Sequence, residues 1–275
     1  MHLREFFEGP RPRSLRTVRF TSGLTVLYLA PHPDDFDAIG VTMRLCQANG
    51  CDIHVAVDRS GSGIEDGYGG RRLGVGDQAA AGCAPSDMAD RRPKVLTAED
   101  RAAIREGEQR RSCAFFGLPG DRLTFMRMEE DAEAQPLRSA ANLHLLRTLF
   151  AAVRPDLVFL PHGNDTNTGH QRMYAMFRQV AQDANHPLVA FYVRDPKTIS
   201  LRTDLYTAFG EDDARWKARL LRFHDLQHQR NLHTRGHGFD DRILASNRQI
   251  ARELGLREPY AEAFELDAIP NMRLT

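Results

Sequence analysis

The segment PHPDDFD, Pro31 to Asp37, follows directly on the apolar run LTVLYLA. It places a histidine and three carboxylates straight after a stretch built to be buried. Asp34 and Asp35 are adjacent, and like charges so close repel unless a cation or a shared proton separates them. A helix start would account for one aspartate, because orphan N–H groups and the positive end of the helix dipole favour acids there. It does not account for a histidine and two further acids. The cluster therefore points to a metal or acid–base site. A second polar cluster, HGNDTNTGH, follows the apolar run DLVFLP and contributes His162, Asp165, Asn167 and His170. Histidine, carboxylate and a distant histidine form the donor set of a catalytic zinc ion that keeps one position open for water. His32 and Asp35 are three residues apart, so one turn can aim both at a single ion, and His170 would complete the set. With Asp35 on the ion, Asp34 is left to move protons. That chemistry suits hydrolysis of an amide or ester.

Elements able to hold two such clusters together are legible in the same text. Leu24–Ala30 reads as a buried parallel strand, because its apolar run does not alternate. A helix over 37–49 stops at Gly50, and Cys51–Asp58 reads as the next strand, which makes a βαβ unit. Further helices are expected over Thr97–Leu118, Leu137–Val153, Gly169–Ala184, Asp212–Gln227 and Asp240–Leu254. Strands are expected at Leu123–Met128, Asp156–Pro161 and Leu188–Val193, with a strand pair near Ile199–Phe209. The fold class is α/β: one mostly parallel sheet with helices on both faces, in a single domain spanning 1–275. Residues 1–22 form a lead into it. The glycine-rich, aperiodic stretch 59–93 reads as a lid-like loop. In open sheets of this kind the ligand crevice lies beyond the carboxyl ends of the strands, where both polar clusters are delivered.

Composition narrows the function class. The chain has 275 residues, 41% hydrophobic and 27% charged, with zero formal net charge. A nucleic-acid partner would call for a basic excess that is missing. No apolar run approaches the roughly 20 residues that span a bilayer, and the N-terminal text lacks the apolar core of a signal peptide. A cytoplasmic location is expected. Cys46, Cys51, Cys83 and Cys113 show no C-x-x-C spacing, so buried free thiols are expected. Lysine occurs only at Lys94, Lys197 and Lys217; the arginine bias matches a GC-rich genome. The oligomeric state is not readable, and a homo-oligomer stays open.

PHPDD after the first strand resembles the AHPDD signature of the LmbE/PIG-L family of zinc-dependent N-acetylglucosaminyl deacetylases. Further pieces follow in the family's order. Arg105 and Glu108 in IREGEQRRSCAFFGL resemble its R-x-x-E helix, Gly169-His170 the end of its H-x-D-H motif, and KARLLRFHDLQ and PYAEAF its C-terminal elements. The resemblance spans about residues 24–265 and implies a Rossmann-like sheet. It implies His32, Asp35 and His170 as zinc ligands, with another divalent ion such as Fe2+ compatible. Asp34 becomes the general base that later protonates the departing amine, and Arg105, oriented by Glu108, the holder of sugar hydroxyls. The implied partner is a small amino-sugar conjugate of the GlcNAc type. Together with the arginine-rich composition, the resemblance extends this to a natural-product or antibiotic-pathway glycoside.

Two departures stand out. Phe36-Asp37 replaces the family's glutamate after HPDD, and Asn167 stands where a histidine helps stabilise the tetrahedral intermediate. Asn167 can donate a hydrogen bond to an oxyanion but carries no charge; His162 and His233 are the alternative donors. Asp165 is a candidate to orient a ligand histidine. His224 and Gln227 are expected to support packing around the site, and the stretch His228–Gly238 to form a loop at its rim. His54, His144 and His186 are expected to be ordinary surface or core histidines. Two other functions fit the same residues: a metal-dependent amidase or esterase on a non-sugar substrate, and a sugar-binding relative without turnover.

Overall fold

The computed structural model describes residues 2–58, 97–184 and 186–269. The lid-like stretch 59–93 lies outside the described residues. Strands β1 (Arg13–Ser14), β2 (Thr25–Ala30), β3 (Asp52–Val57), β4 (Leu123–Phe125), β5 (Leu157–Pro161), β6 (Leu188–Val193), β7 (Leu205–Phe209) and β8 (Tyr260–Ile269) form one sheet. Its order is β1-β7-β8-β6-β5-β2-β3-β4. All pairings are parallel except those of β8, which runs antiparallel between β6 and β7. The α/β reading of the sequence holds.

Both faces of the sheet are covered, which is why its central strands carry continuous apolar runs. Along β2, Val26, Tyr28 and Ala30 enter one core with Phe36, Met43, Phe116 and Phe159. Leu27 and Leu29 enter the other with Phe150, Met173 and Phe177. Burying one such side chain contributes about 1.5–3 kcal/mol. Helices α1 (Gly40–Ala48) and α2 (Ala98–Phe116) serve the first face; α3 (Ala140–Val153) and α4 (Thr168–Gln182) serve the second. Thr97 and Asp100 close a capping box at the start of α2, and Gly117 ends that helix at φ 91°, which suits a residue without a Cβ.

The pairing places the site. From β2 the chain crosses to β3 on one side, while β5 lies on the other. This is a topological switch point, and a crevice opens there beyond the strand ends. PHPDDFD leaves β2 and HGNDTNTGH leaves β5 into that crevice.

Four expectations change. The helix over 37–49 begins as a 3-10 turn, Asp37–Ile39, before α1. The helix over Asp212–Gln227 is two helices, α5 (Glu211–Leu221) and α6 (Asp225–Arg235). Its break has a cause: His224 adopts φ −86°, ψ 65°, outside helical space, and its Nε2 reaches the Asp37 carboxylate in the interior. The stretch His228–Gly238 is consequently mostly helix, ended by Gly236 at φ 73°; α7 (Phe239–Glu253) follows. The strand pair near Ile199–Phe209 is the single strand β7, whose partners are β1 and β8. Strand β8 hides in sequence because Glu262, Glu265 and Asp267 interrupt its apolar run. In the fold Glu262 is buried and accepts from Lys217 Nζ at 2.7 Å and the Thr42 N–H at 2.7 Å. It therefore caps the orphan N–H groups of α1.

Candidate active site

The turn after β2 is held in an unfavourable backbone state. Asp34 has φ 131°, a region that costs a non-glycine residue about 1–3 kcal/mol and is retained where surrounding structure over-determines it. Here the Asp34 N–H donates to Gln109 Oε1 at 3.1 Å. Arg105 Nη2 donates to Pro33 O at 3.1 Å and to Asp34 Oδ1 at 3.2 Å. Helix α2 thus grips the dipeptide from outside the sheet and turns the two carboxylates apart.

Asp35 faces the other way. Its Oδ2 accepts the His32 N–H at 2.8 Å and lies 3.2 Å from His32 Nδ1, while Tyr28 OH donates to its carbonyl at 2.8 Å. Its Oδ1 lies 3.5 Å from His170 Nε2. His32, Asp35 and His170 are all buried, and each offers a ligand atom within 4.8 Å of the others. The structure thus brings together the three residues that the sequence singled out as metal ligands.

His170 enters from the start of α4. Its Nδ1 donates to Asp165 Oδ2 at 3.0 Å, which turns Nε2 toward Asp35 with no hydrogen-bond partner. A fully buried nitrogen that makes no hydrogen bond, with a carboxylate oxygen 3.5 Å away, leaves room for an ion between the two. A donor set of two imidazole nitrogens and one carboxylate oxygen fits a zinc-type divalent ion. Asp165 is the orienting residue anticipated from its place in the motif. Asp195 with Asp165 and His170 makes a second grouping, but there Asp165 already occupies the Nδ1 of His170.

Electrostatics separates the two aspartates. Burial pushes the Asp34 carboxyl up; Arg105 opposes this and Asp35 reinforces it. Asp35 is also buried, yet His170 and His32 hold it well below the usual carboxylate range. Burial alone would lower His170, but Asp35 and Asp165 raise it to about 9. His32 is lowered by burial, with Asp35 opposing.

Asn167 is the N-cap of α4: its Oδ1 accepts the His170 N–H at 3.2 Å. Asn167 also lines the cavity. Gly169 shapes the same wall. A Cβ there would lie 3.1 Å from Asn167 Oδ1 and Gln135 Oε1 and 3.3 Å from His32 Nε2. His162 instead accepts the Asn164 N–H at 2.9 Å and packs on Tyr174 and Tyr192. Neither it nor His233 lines the cavity.

The cavity measures about 300 Å³ and is lined by His32, Asp34, Arg105 and Asn167 together with polar residues from α6, α7 and the 133–135 turn. Glu108 is buried within reach of Arg105's charge, while its Oε1 accepts the Leu226 N–H at 2.9 Å and so caps α6. Sequence reasoning missed Gln109, Lys197, Arg230, Arg235 and Arg242. No motif marks them, and only the packing of α2 and of the α6–α7 pair brings them to the site.

Residues 27–181 match the family model described as PIG-L: GlcNAc-PI de-N-acetylase. A comparison with curated proteins returned no match. Among solved structures, the fold matches N,N'-diacetylchitobiose deacetylase from Pyrococcus horikoshii at 17% identity and TM-score 0.65, covering 96% of this chain and 90% of that one. The zinc-inhibited form of a teicoplanin deacetylase matches at 14% identity and TM-score 0.58, covering 90% and 100%. An A40926 pseudoaglycone deacetylase matches at 16% identity and TM-score 0.56, covering 88% and 96%.

Proposed function

The chain belongs to the PIG-L family of GlcNAc-PI de-N-acetylases, and from that premise we propose that it is a zinc-dependent hydrolase removing the N-acetyl, or another N-acyl, group from a GlcNAc-type amino-sugar conjugate. One observation carries the reading: the strained dipeptide gives Asp35 to the His32–His170 pair and leaves Asp34 beside it, lining the cavity. The deacetylases of similar fold act, by their names, on diacetylchitobiose, teicoplanin and the A40926 pseudoaglycone. They support an acylated amino sugar, free or on a natural-product glycoside, as the substrate class.

His32, Asp35 and His170 would hold the ion, which when bound supplies Lewis-acid polarisation of the amide carbonyl and a more acidic water. The chain's own groups do the rest. Asp34 takes a proton from the attacking water and returns it to the departing amine. Arg105, anchored on Pro33 O, holds Asp34 Oδ1 in place for both transfers. The Asn167 amide donates to the carbonyl oxygen as it gains charge; one such donor is worth about 10²–10³ in rate. Asp165 keeps the His170 ring in the tautomer and orientation a ligand needs.

The test is release of acetate and free amine from N-acetylglucosamine conjugates, with and without chelator. Equal amounts of both products, abolished by chelator and restored by zinc, are expected. No product from any acylated amino sugar with ion-loaded protein would overturn the reading.

A further inference from the structure

Among the described residues, the cavity is lined by a single lysine, Lys197, in the turn after β6, together with His32, Asp34 and Asn167. Its place is fixed by a zipper between two loops. The Thr166 N–H donates to Lys197 O at 3.1 Å and the Ile199 N–H to Asn164 O at 2.9 Å, and Asp165 and Thr198 form an antiparallel bridge. Asp195 Oδ1 accepts the Lys197 N–H at 2.8 Å, while the Asp195 N–H donates to Thr198 Oγ1 at 2.9 Å. The loop that carries Lys197 is thereby joined to the loop that carries Asp165 and Asn167.

The Lys197 ammonium makes no ion pair or hydrogen bond among the described residues. Of the acids around it, Asp34 meets Arg105, Asp195 accepts from the Lys197 backbone, and Glu133 is exposed at the rim. His32 and His170 both feel the lysine's charge. Burial lowers His32, Asp35 opposes this, and Lys197 adds to the lowering. Burial also lowers His170, which Asp35 and Asp165 raise to about 9 against the pull of Lys197. The residue type is informative too. Of 37 lysines and arginines only three are lysine. Lys94 lies outside the described residues, and Lys217 is fully buried with Nζ 2.7 Å from Asn247 Oδ1 and 2.7 Å from Glu262 Oε1. An arginine fork suits paired oxygens, whereas lysine puts a compact charge on a flexible stem and suits a single oxygen atom.

Resting on the deacetylase reading, we propose that Lys197 is a further catalytic residue, whose ammonium donates to the amide carbonyl oxygen as that atom becomes an oxyanion and supplies the charge that the neutral Asn167 amide lacks. When the water oxygen bonds to the carbonyl carbon, the C=O π pair moves onto this oxygen, and Lys197 stabilises it without giving up its proton. Collapse re-forms the C=O bond and breaks the C–N bond, and the amine leaves with the proton carried by Asp34. A donor already in place as charge develops costs no reorganisation at that moment.

The test compares zinc-loaded wild type with Lys197→Met, which keeps the length of the side chain and removes its charge, and with Lys197→Arg. On the methyl glycoside of N-acetylglucosamine, kcat should fall about 100-fold in Lys197→Met while KM changes less than about threefold. Lys197→Arg should recover part of the loss. The N-trifluoroacetyl analogue stabilises its own oxyanion, so the loss there should shrink to about tenfold or less. A merely structural role would lower both substrates alike. A methylphosphonamide of glucosamine, a tetrahedral anion, should bind Lys197→Met about 100-fold more weakly than wild type by calorimetry, while glucosamine binds both equally. A kcat within about threefold of wild type, or equal losses on the two substrates, overturns the proposal and leaves the deacetylase reading standing. Where no acylated amino sugar is hydrolysed, the phosphonamide decides. Lys197-dependent binding supports the anion-facing lysine and removes the deacetylase reading; absent binding, or binding unmoved by Lys197→Met, overturns the lysine's role as well.

Discussion

Asp34 and Asp35 are neighbours in the chain, yet their side chains have different surroundings, and substitution of each by asparagine tests the different roles proposed for them. Asp34→Asn keeps the shape of the side chain, and its amide oxygen can still accept from Arg105, now 3.2 Å from Asp34 Oδ1. Asparagine also tolerates positive φ better than most residues, so the φ 131° turn is retained. What disappears is basicity. General acid–base catalysis contributes about 10²–10⁴, so kcat should fall by that factor, equivalent to about 2.7–5.4 kcal/mol at 1.36 kcal/mol per decade. Metal content should stay near one ion per chain. In Asp35→Asn the carboxylate that sits 3.2 Å from His32 Nδ1 and 3.5 Å from His170 Nε2 is lost. Metal content should drop after dialysis, and part of the activity should return at high zinc. The assay pairs elemental analysis of dialysed protein with initial rates over a zinc series. Loss of the ion in Asp34→Asn with its retention in Asp35→Asn would show the roles to be reversed.

Three further outcomes test the surrounding structure. Asp165→Asn replaces the charged acceptor that fixes His170 Nδ1 with a neutral amide that can turn its NH2 toward the ring, so zinc affinity measured by competition with a chelator should weaken about 10–100-fold; unchanged affinity would show that Asp165 does not position the ligand. Gly169→Ala puts a methyl group against Asn167, Gln135 and His32. It should lower kcat/KM about tenfold while Tm moves by no more than about 3 °C, roughly what 1 kcal/mol produces in a domain this size; full activity would mean that this wall does not touch substrate. Asp204 is buried, which would raise its carboxyl, but hydrogen bonds from Arg202, the Leu266 N–H and Arg11 outweigh burial and hold it below its ordinary 3.8. A depressed carboxylate stabilises the fold above its unfolded pKa, and that stability is lost as pH falls through the lower folded value. Wild type should therefore unfold later than Asp204→Asn at neutral pH, with the gap closing only below about pH 4; a gap that widens on acidification would refute the sign.

The class of the fold and the residues of the candidate site were legible in the amino-acid text. Continuous apolar runs at 24–30 and 156–161 require burial on both faces, and a parallel sheet delivers whatever follows each strand to one edge. His32, Asp34, Asp35 and His170 were legible for that reason, since each lies within a short turn of a strand or at the first turn of a helix. Asp165 was legible too, being five residues from the histidine it holds. Contacts across long sequence separations were not. Gln109 meets Asp34, Glu108 caps α6, and His224 breaks a helix to reach Asp37. Strand β8 hid a buried glutamate whose partner, Lys217, lies on another element. A polar residue inside a core is unreadable until its partner is known, because burial without one costs more than folding can absorb. The arginines that line the cavity are the extreme case. Arg230, Arg235 and Arg242 look like ordinary solvated charges in the text, and only the packing of α6 against α7 brings them to the cavity.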